Sequence, residues 1–578
     1  MPFHRKRRQA IKAWRWNTME KFIIYQIFTR LFGNKNITRK KNGTIEDNGC
    51  GKLNNFTPSV LNRIKKLGAT HVWYTGVIRH ATTTDYTKFG IPKQHPAVVK
   101  GNAGSPYAIT DYYDIDPDLA VNVDKRMQEF EALIKRTHNA GLKMIIDFVP
   151  NHVARQYKSI AKPKEVKDFG EDDDKGKQFY PMNNFYYCPG ADFAPDIDLY
   201  HGEDLPYEEF PAKATGNDCF SNRPGKNDWY ETVKLNYGVD YCDAGGVSKH
   251  FYPIPDTWHK MCEILLFWAS KGIDGFRCDM AEMVPSEFWS WATAEVNKKF
   301  KNVIFIGEVY NPTRYREYIS AGFDYLYDKV GMYDCVRDVV CGNRWASDIT
   351  RQWQKTDDIA DHMLYFLENH DEQRLASEFF AHNGEKGIPA LIANSLMRKN
   401  PFMLYAGQEY GERGMDEEGF SGKDGRTTIF DYWSIDSLLH GYYSRSSLTA
   451  EEKKLEAIYK KVLNIATREK TISEGEFFDL MYVNPTSEYF DASKQYAFIR
   501  KSGEDTLLVV VNFSDTERSI KLNIPQHAFE YLGLPTGIMQ ATDLMTGESS
   551  AICLSAESAV KMTIMGNSGK VLKIGKRK

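Results

Sequence analysis

Eight short apolar runs that alternate with amphipathic helical stretches constrain the fold of this chain more than any other feature. Strands are predicted over residues 22–29, 69–75, 143–149, 275–279, 303–308, 323–327, 362–367 and 402–405. Helices are predicted between them, over stretches such as residues 57–67, 124–140, 257–270, 285–300 and 389–396. Strands that alternate with helices indicate βα units and a parallel sheet. Eight such units in succession predict an α/β fold with a closed (β/α)8 barrel, the TIM barrel.

Two segments break this alternation and indicate further domains. From His152 to about Tyr241 the chain is rich in Asp, Asn, Gly, Pro and Tyr, and a connection this long in a compact domain usually carries function. Past residue 470, residues 495–500, 506–513 and 518–524 have the pattern of antiparallel strands joined by turns. We therefore predict a barrel over residues 19–151 and 242–470, an inserted domain over residues 152–241 after the third strand, and a C-terminal antiparallel β-sandwich domain over residues 471–578.

Composition and charge argue against several classes of partner. The formal net charge is -2 over 578 residues, which gives nucleic acid or an anionic membrane no electrostatic reason to bind. The nine cysteines lack CxxC pairs and zinc-ligand spacing, so free thiols in a reducing compartment are expected. The chain has no apolar run of about 18 residues, so no transmembrane helix is predicted. We expect a cytoplasmic protein with no nucleic-acid, membrane or protein partner.

The N-terminus superficially resembles the start of a signal peptide, because six Lys or Arg residues within residues 1–18 precede an apolar stretch. That stretch, however, contains Gln26, runs into Arg30 and lacks a small-residue cleavage site. We therefore predict that residues 1–18 form a disordered basic extension and that residues 22–29 form the first barrel strand.

Polar side chains that can perform chemistry stand at the ends of four predicted strands. These ends are Asp147-Phe-Val-Pro-Asn151-His152 after strand three, Gly275-Phe-Arg277-Cys-Asp279 after strand four, Ile306-Gly-Glu308-Val after strand five and Phe366-Leu-Glu-Asn369-His370-Asp371 after strand seven. Taken singly, such motifs are more often a structural ion pair, a helix cap or a turn. The active sites of (β/α)8 barrels lie at the C-terminal ends of the strands. Four such motifs in order therefore predict one active site at that face.

Two of these carboxylates suit glycoside hydrolysis with retention of configuration, which needs two carboxyl groups about 5–5.5 Å apart. Arg277 lies two residues before Asp279 on one strand, so both side chains point to the same face. A nearby guanidinium keeps a carboxylate ionised, which suits a nucleophile. Glu308 ends an apolar run, an environment that suits a general acid.

With these motifs in this order, an insert after the third strand and a β-rich C-terminal domain, the sequence resembles the α-amylase superfamily, glycoside hydrolase family 13, over residues 19–578. The resemblance implies that Asp279 is the nucleophile, that Glu308 is the general acid/base and that Asp371 is a third carboxylate that binds and helps distort the sugar. The glucose unit at the cleaved bond would contact Arg277, His152 and His370 and stack on Tyr107. Asp147 resembles the supporting carboxylate of the family, and Asn151 stands where many members bind a structural Ca²⁺.

The resemblance leaves the substrate and the reaction outcome open. One alternative is hydrolysis of α-1,4-glucosidic bonds in starch-derived glucans or maltodextrins; another is transglycosylation through the same covalent intermediate. A non-catalytic binding barrel is a remote alternative, because the three carboxylates and Arg277 are all present. Met280-Ala-Glu282 replaces the Lys-His pair of many endo-acting amylases, and Thr232-Val-Lys-Leu-Asn236 resembles the neopullulanase branch, so bond preference stays open. Aromatic residues such as Tyr186 and Tyr187 either stack on glucose units or form the core of the insert.

Overall fold

A closed barrel of eight parallel strands lies at the centre of the molecule, in a computed structural model that describes residues 21–414 and 416–575. In chain order the strands are Ile23–Phe28, His71–Thr75, Lys143–Phe148, Gly275–Cys278, Ile304–Gly307, Tyr325–Tyr327, Met363–Phe366 and Phe402–Tyr405. The eighth strand closes the barrel against the first, with Phe402 opposite Ile23. The fold prediction is confirmed, and each predicted strand is present to within two residues at either end. The predicted basic extension, residues 1–18, lies outside the described residues.

A helix follows every barrel strand and covers the outside of the sheet. The helices are Pro58–Leu67, Arg126–Asn139, Asp256–Ser270, Ser286–Lys299, Tyr315–Ser320, the pair Asp334–Val340 and Asp348–Lys355, Ile388–Leu396 and Ala450–Arg468. The first helix shows the local cause: the Thr57 side chain accepts the Val60 N–H, and Gly68 ends the helix with a φ of 120°. Its buried side chains recur at the helical period, so one face packs against the barrel.

The inserted domain leaves the barrel after strand three, and the chain returns to the barrel at helix Asp256–Ser270. It contains short antiparallel pairs: His152–Ala154 with Thr232–Lys234, Tyr187–Cys188 with Ala212–Lys213, and Val239–Asp240 with Ser248–Lys249. Because His152–Ala154 follows barrel strand three within a few residues, its partner strand Thr232–Lys234 lies at the mouth of the barrel. Aromatic side chains of the insert pack on the loop after barrel strand two, at Ala97 and Val98.

Antiparallel sheets form the C-terminal part of the chain, as predicted. A six-stranded sheet has the spatial order Glu476–Asp479, Gln495–Ser502, Asp505–Asn512, Ser568–Gly575, Gly537–Asp543 and Ser549–Leu554, and a two-stranded sheet pairs Arg518–Leu522 with Val560–Ile564. The buried Arg500 side chain donates hydrogen bonds to the carbonyls of Thr471, Ile472 and Met397. The bond to Met397, which follows helix Ile388–Leu396, joins the sheet to the barrel.

All nine cysteines are free thiols, as the sequence predicts. In the part of the chain that the structure describes, no helix has the length and hydropathy needed to cross a membrane.

Candidate active site

A cavity of about 240 Å³ opens at the C-terminal ends of the barrel strands. Five of the predicted site residues line it: Tyr107, His152, Asp279, Glu308 and Asp371. The other lining residues are Lys100, Ser105, Trp229, Glu231, Thr232, Met280, Tyr310, Ile429 and Phe430. Side chains from six separate connections of the barrel therefore meet at one site, which is the arrangement that this fold uses for catalysis.

Arg277 holds the two predicted catalytic carboxylates in place. Its side chain is fully buried; Nη1 lies 2.6 Å from Asp279 Oδ1, and Nη2 lies 2.7 Å from Glu308 Oε2. Asp147 is the third acidic neighbour, with Oδ1 at 3.8 Å from Nη1. The guanidinium also lies 5.2 Å from the ring centroid of Trp73 and 5.4 Å from that of Tyr107. A planar guanidinium can bridge two carboxylates in this way, whereas the point charge of a lysine cannot.

The backbone of the barrel carries both carboxylates. The Asp279 N–H donates to the Phe148 carbonyl and the Glu308 N–H donates to the Cys278 carbonyl, so the ladder of hydrogen bonds continues to both residues. Since neither residue lies on a free loop, the separation of the two carboxyl groups is set by the sheet itself. Sites built on rigid elements hold reacting groups more accurately than sites on loops.

The two carboxyl groups also share their electrostatics. Burial raises the pKa of Asp279 well above its ordinary value; Arg277 opposes this rise, and the Glu308 carboxylate adds to it. Burial and the neighbouring Glu308 charge therefore oppose ionisation of Asp279, and the Arg277 guanidinium favours it.

Two hydrogen-bond donors and one cation surround the Glu308 carboxyl group. Oε2 accepts the Met280 N–H at 2.8 Å and also contacts Arg277, while Oε1 accepts the Tyr310 hydroxyl at 2.6 Å. Met280 reaches this position with φ 42° and ψ 43°, a left-handed conformation that costs a residue with a Cβ roughly 1–2 kcal/mol. Strain of this kind persists where the surrounding structure requires it, and here it aims a backbone donor at Glu308.

His370 connects three of the predicted residues. Its Nε2 lies 3.0 Å from Asp371 Oδ2 and is hydrogen-bonded to the Tyr107 hydroxyl, and its Nδ1 lies 2.7 Å from Gln26 Nε2. Burial opposes ionisation of Asp371, but His370 outweighs it and lowers the pKa of that carboxyl. Asp371 is therefore ionised at neutral pH and partly exposed to the cavity.

The insert supplies the opposite wall of the cavity. The buried His152 ring lies 5.3 Å from the Trp229 ring. Burial, helped by Lys234 and Lys100, lowers the pKa of His152 to about 3, so its imidazole is neutral at physiological pH. Lys100 forms a buried ion pair with Glu231 at 3.0 Å on the same wall.

Several lining residues escaped the sequence analysis. Tyr310 lies two residues after Glu308, and the alternation of side chains along an extended segment would have placed both on one face. Trp229, Lys100 and Phe430 come from irregular loops, where no periodicity marks the inward-facing side chains. Among the predicted residues, Arg277, His370 and Asp147 lie directly behind the cavity wall.

The aromatic residues Tyr186 and Tyr187 belong to the core of the insert rather than to a sugar-stacking surface. Tyr186 and Tyr187 are 1% and 3% exposed, and their hydroxyls donate to the Val239 carbonyl and to Asp173 Oδ2. Neither lines the cavity. The aromatic side chain that the insert directs into the cleft is Trp229.

The residues around Asn151 do not fit a calcium ion. Asn151 Oδ1 accepts a hydrogen bond from the Lys234 ammonium at 2.9 Å, and Asn151 Nδ2 donates to the Gly216 carbonyl at 2.7 Å. The Asp218 carboxylate is paired with the same ammonium at 2.5 Å. Calcium takes six to eight oxygen ligands, several of them from carboxylates. Within the described ranges, no three His, Cys, Asp or Glu side chains gather into a metal-binding group.

Comparison with known proteins matches the chain to a known catalytic domain. The family model "Alpha amylase, catalytic domain" matches residues 26–471. Alpha-amylase 2 of Dictyoglomus thermophilum is 22% identical over 548 residues, which cover 92% of this chain and 75% of that protein. Neopullulanase 2 of Thermoactinomyces vulgaris is 19% identical over 564 residues, which cover 95% of this chain and 77% of that protein.

The fold is also similar to that of solved α-amylase structures. The crystal structure of the α-amylase from Geobacillus thermoleovorans, complexed with acarbose, is 18% identical and superimposes with a TM-score of 0.63 over 98% of this chain and 100% of that chain. The matched family model spans most of the 578 residues, from the first barrel strand to the helix that follows the eighth. On this evidence from sequence, fold and comparison, the chain belongs to the α-amylase family of glycoside hydrolases and related enzymes.

Proposed function

We propose that this protein is a retaining glycoside hydrolase that cleaves α-1,4-glucosidic bonds in starch-derived glucans or maltodextrins. The observation that carries the proposal is the contact of one buried guanidinium with two carboxylates, at 2.6 Å from Asp279 and 2.7 Å from Glu308. This contact supports a charge arrangement in which one carboxylate attacks while its neighbour donates a proton.

In the first step, Asp279 attacks the anomeric carbon and the bond from that carbon to the glycosidic oxygen breaks. The leaving oxygen takes the proton of Glu308, and a glucosyl ester of Asp279 is formed. Glu308 Oε2 already accepts the Met280 N–H and lies 2.7 Å from Arg277 Nη2. The proton for the leaving group therefore belongs on Oε1, which lies beside the Tyr310 hydroxyl.

In the second step, Glu308 is a carboxylate and acts as the base. It takes a proton from water, the water oxygen attacks the anomeric carbon, and the ester bond to Asp279 breaks. Two inversions at one carbon return the α configuration. If the hydroxyl of a second sugar replaces water, the same step gives transglycosylation, so the two activities differ only in the acceptor.

The remaining residues bind the sugar and fix its orientation. Asp371 is ionised and accepts sugar hydroxyls, and His370 orients it from behind. The neutral His152 imidazole can donate and accept at once, which suits a hydroxyl that does both. The ring of Tyr107 lies against Arg277 and offers a flat apolar face to the sugar.

The test separates the roles of the two carboxylates with α-glucosyl fluoride, whose leaving group needs no proton. Asp279→Asn should lose nearly all activity on every substrate, because no ester can form. Glu308→Gln should lose about 10²–10⁴-fold on maltoheptaose and still react with the fluoride. Added azide should then give α-glucosyl azide, identified by the anomeric signal in NMR. Glu287→Gln, on an outer helix, is the matched control and should behave as wild type.

Two results would contradict these roles. Azide rescue in Asp279→Asn rather than in Glu308→Gln would mean that the roles are reversed. A β-configured first product from the wild-type enzyme would exclude retention. Products from maltoheptaose, pullulan and cyclodextrin then report the bond preference and the share of transfer to sugar acceptors.

A further inference from the structure

A buried lysine joins the insert to the barrel directly behind the active-site cavity. Lys234 lies on the short strand Thr232–Lys234, opposite His152 in an antiparallel pair. Its side chain is 2% exposed, and its Nζ lies 2.9 Å from Asn151 Oδ1 and 2.5 Å from Asp218 Oδ1. A charge buried to this extent persists only when it is paired and hydrogen-bonded, and both kinds of partner are present.

The partners of the ammonium come from separate parts of the chain. Asn151 lies three residues after the end of barrel strand three, and Asp218 lies in a turn of the insert with a φ of 68°. Further bonds link the same segments: Asn151 Nδ2 donates to the Gly216 carbonyl, and the Leu235 N–H donates to the Asn151 carbonyl. The ammonium therefore stands where barrel, turn and strand meet, and it satisfies polar oxygens from two of them.

The contacts of this joint extend to the cavity. Asn151 Nδ2 lies 3.2 Å from the Nδ1 of the adjacent His152, so the orientation of Asn151 also bears on that ring. Thr232 is on the same strand as Lys234, and Trp229 and Glu231 lie just before this strand. Thr232, Trp229 and Glu231 all line the cavity. A change in the joint would therefore move a wall of the substrate site.

We propose that the Lys234 ammonium is the permanent cation of this joint, that it takes the place a bound calcium ion would have there, and that the attachment of the insert is independent of divalent metal ions. An ammonium makes three directional hydrogen bonds and stays in the chain, whereas a bound ion stabilises only in proportion to its free concentration. The chelator and melting measurements below do not depend on the proposed function; only the kinetic measurement does.

The first experiment uses wild-type protein and needs no variant. Melting temperatures are measured by differential scanning fluorimetry in buffer, in excess EDTA, and after CaCl₂ is added back. We expect the three values to agree within about 1 °C, since no ion leaves the folded state. A fall in EDTA that calcium reverses would overturn the proposal.

The second experiment removes the charge and keeps the aliphatic stem. Lys234→Met leaves the buried Asn151 Oδ1 without its donor and the 40% exposed Asp218 side chain without its charge partner, and we expect Tm to fall by about 2 °C. The KM for maltoheptaose should rise several-fold as the wall carrying Trp229 and His152 loosens. An unchanged Tm in Lys234→Met would overturn the proposal.

Lys260→Met is the matched control. Lys260 is also buried, and its Nζ contacts Asn184 Oδ1 at 2.9 Å and Asp256 Oδ2 at 2.8 Å, but it does not line the cavity or touch Asn151. Its loss should lower Tm without raising KM. An equal rise of KM in both variants would refute a specific link between Lys234 and the cleft. If the wild type has no glycosidase activity, the proposed function fails, and the melting measurements still decide the role of Lys234.

Discussion

Replacement of Arg277 is the most direct test of the site, because this one side chain contacts both carboxylates and sets their charge balance. Its guanidinium contacts Asp279 and Glu308 at 2.6 and 2.7 Å and is fully buried. At an effective dielectric constant of about 20, charges about 4 Å apart attract by about 4 kcal/mol. Since about 1.4 kcal/mol corresponds to a factor of ten, an attraction of this size corresponds to roughly 10³ in a rate that depends on the ionised Asp279. Arg277 acts to lower the pKa of Asp279, so its removal must raise that pKa.

The variant to make is Arg277→Met, assayed with α-glucosyl fluoride so that general-acid assistance does not enter. The acidic limb of the profile of kcat/KM against pH should move to higher pH, because the ionised nucleophile then forms only at higher pH. At a fixed pH on that limb, the rate should fall by roughly 10³. Arg277→Lys should fall between wild type and Arg277→Met, since a lysine keeps the charge but cannot bridge both carboxylates.

Arg374→Met is the matched control for this prediction. Arg374 is 1% exposed and pairs with Glu368 at 3.0 Å, away from the catalytic carboxylates. Its loss should destabilise the fold and leave the acidic limb in place. Loss of activity in Arg277→Met with an unmoved limb would refute the electrostatic argument and would mean that Arg277 only binds the sugar or supports the fold.

Two further predictions concern the cleft and the core. Trp229→Ala should raise the KM for maltoheptaose by about tenfold, because the apolar contact of this cavity-lining ring is lost. The kcat on α-glucosyl fluoride should stay near the wild-type value. An equal loss of activity on both substrates would contradict a role of Trp229 away from the transferred glucose. Burial raises the pKa of Glu409 to about 7, and its carboxyl accepts the hydroxyls of Tyr25 at 2.5 Å and Tyr442 at 3.0 Å. Because an unfolded glutamate titrates near 4.3, the folded state holds an extra proton between these two values, and stability falls as pH rises through that window. Glu409→Gln should therefore reduce the fall in Tm between about pH 5 and 7, and an identical slope would exclude Glu409 as a source.

Much of the barrel and the centre of its site could be predicted from the sequence. The alternation of apolar runs with amphipathic helices is a local signal, and eight repeats of it leave a closed parallel barrel as the favoured solution. Parallel strands bring their C-terminal ends to one face, so motifs that end four different strands had to meet there. The two-residue spacing of Arg277 and Asp279 on one strand then placed both side chains on the same side.

The tertiary structure alone decided what surrounds that centre. Lys234 and Asn151 are 83 residues apart, and nothing in either segment signals that an ammonium meets the amide oxygen. In the insert, Tyr186 is directed to a core and Trp229 to the cleft, although both lie in irregular, aromatic-rich sequence. Irregular backbone has no period that fixes which side chains point inward, so their directions follow from long-range packing. The barrel strands carry such a period, and the sequence for that reason determined the catalytic face and left its walls to the folded chain.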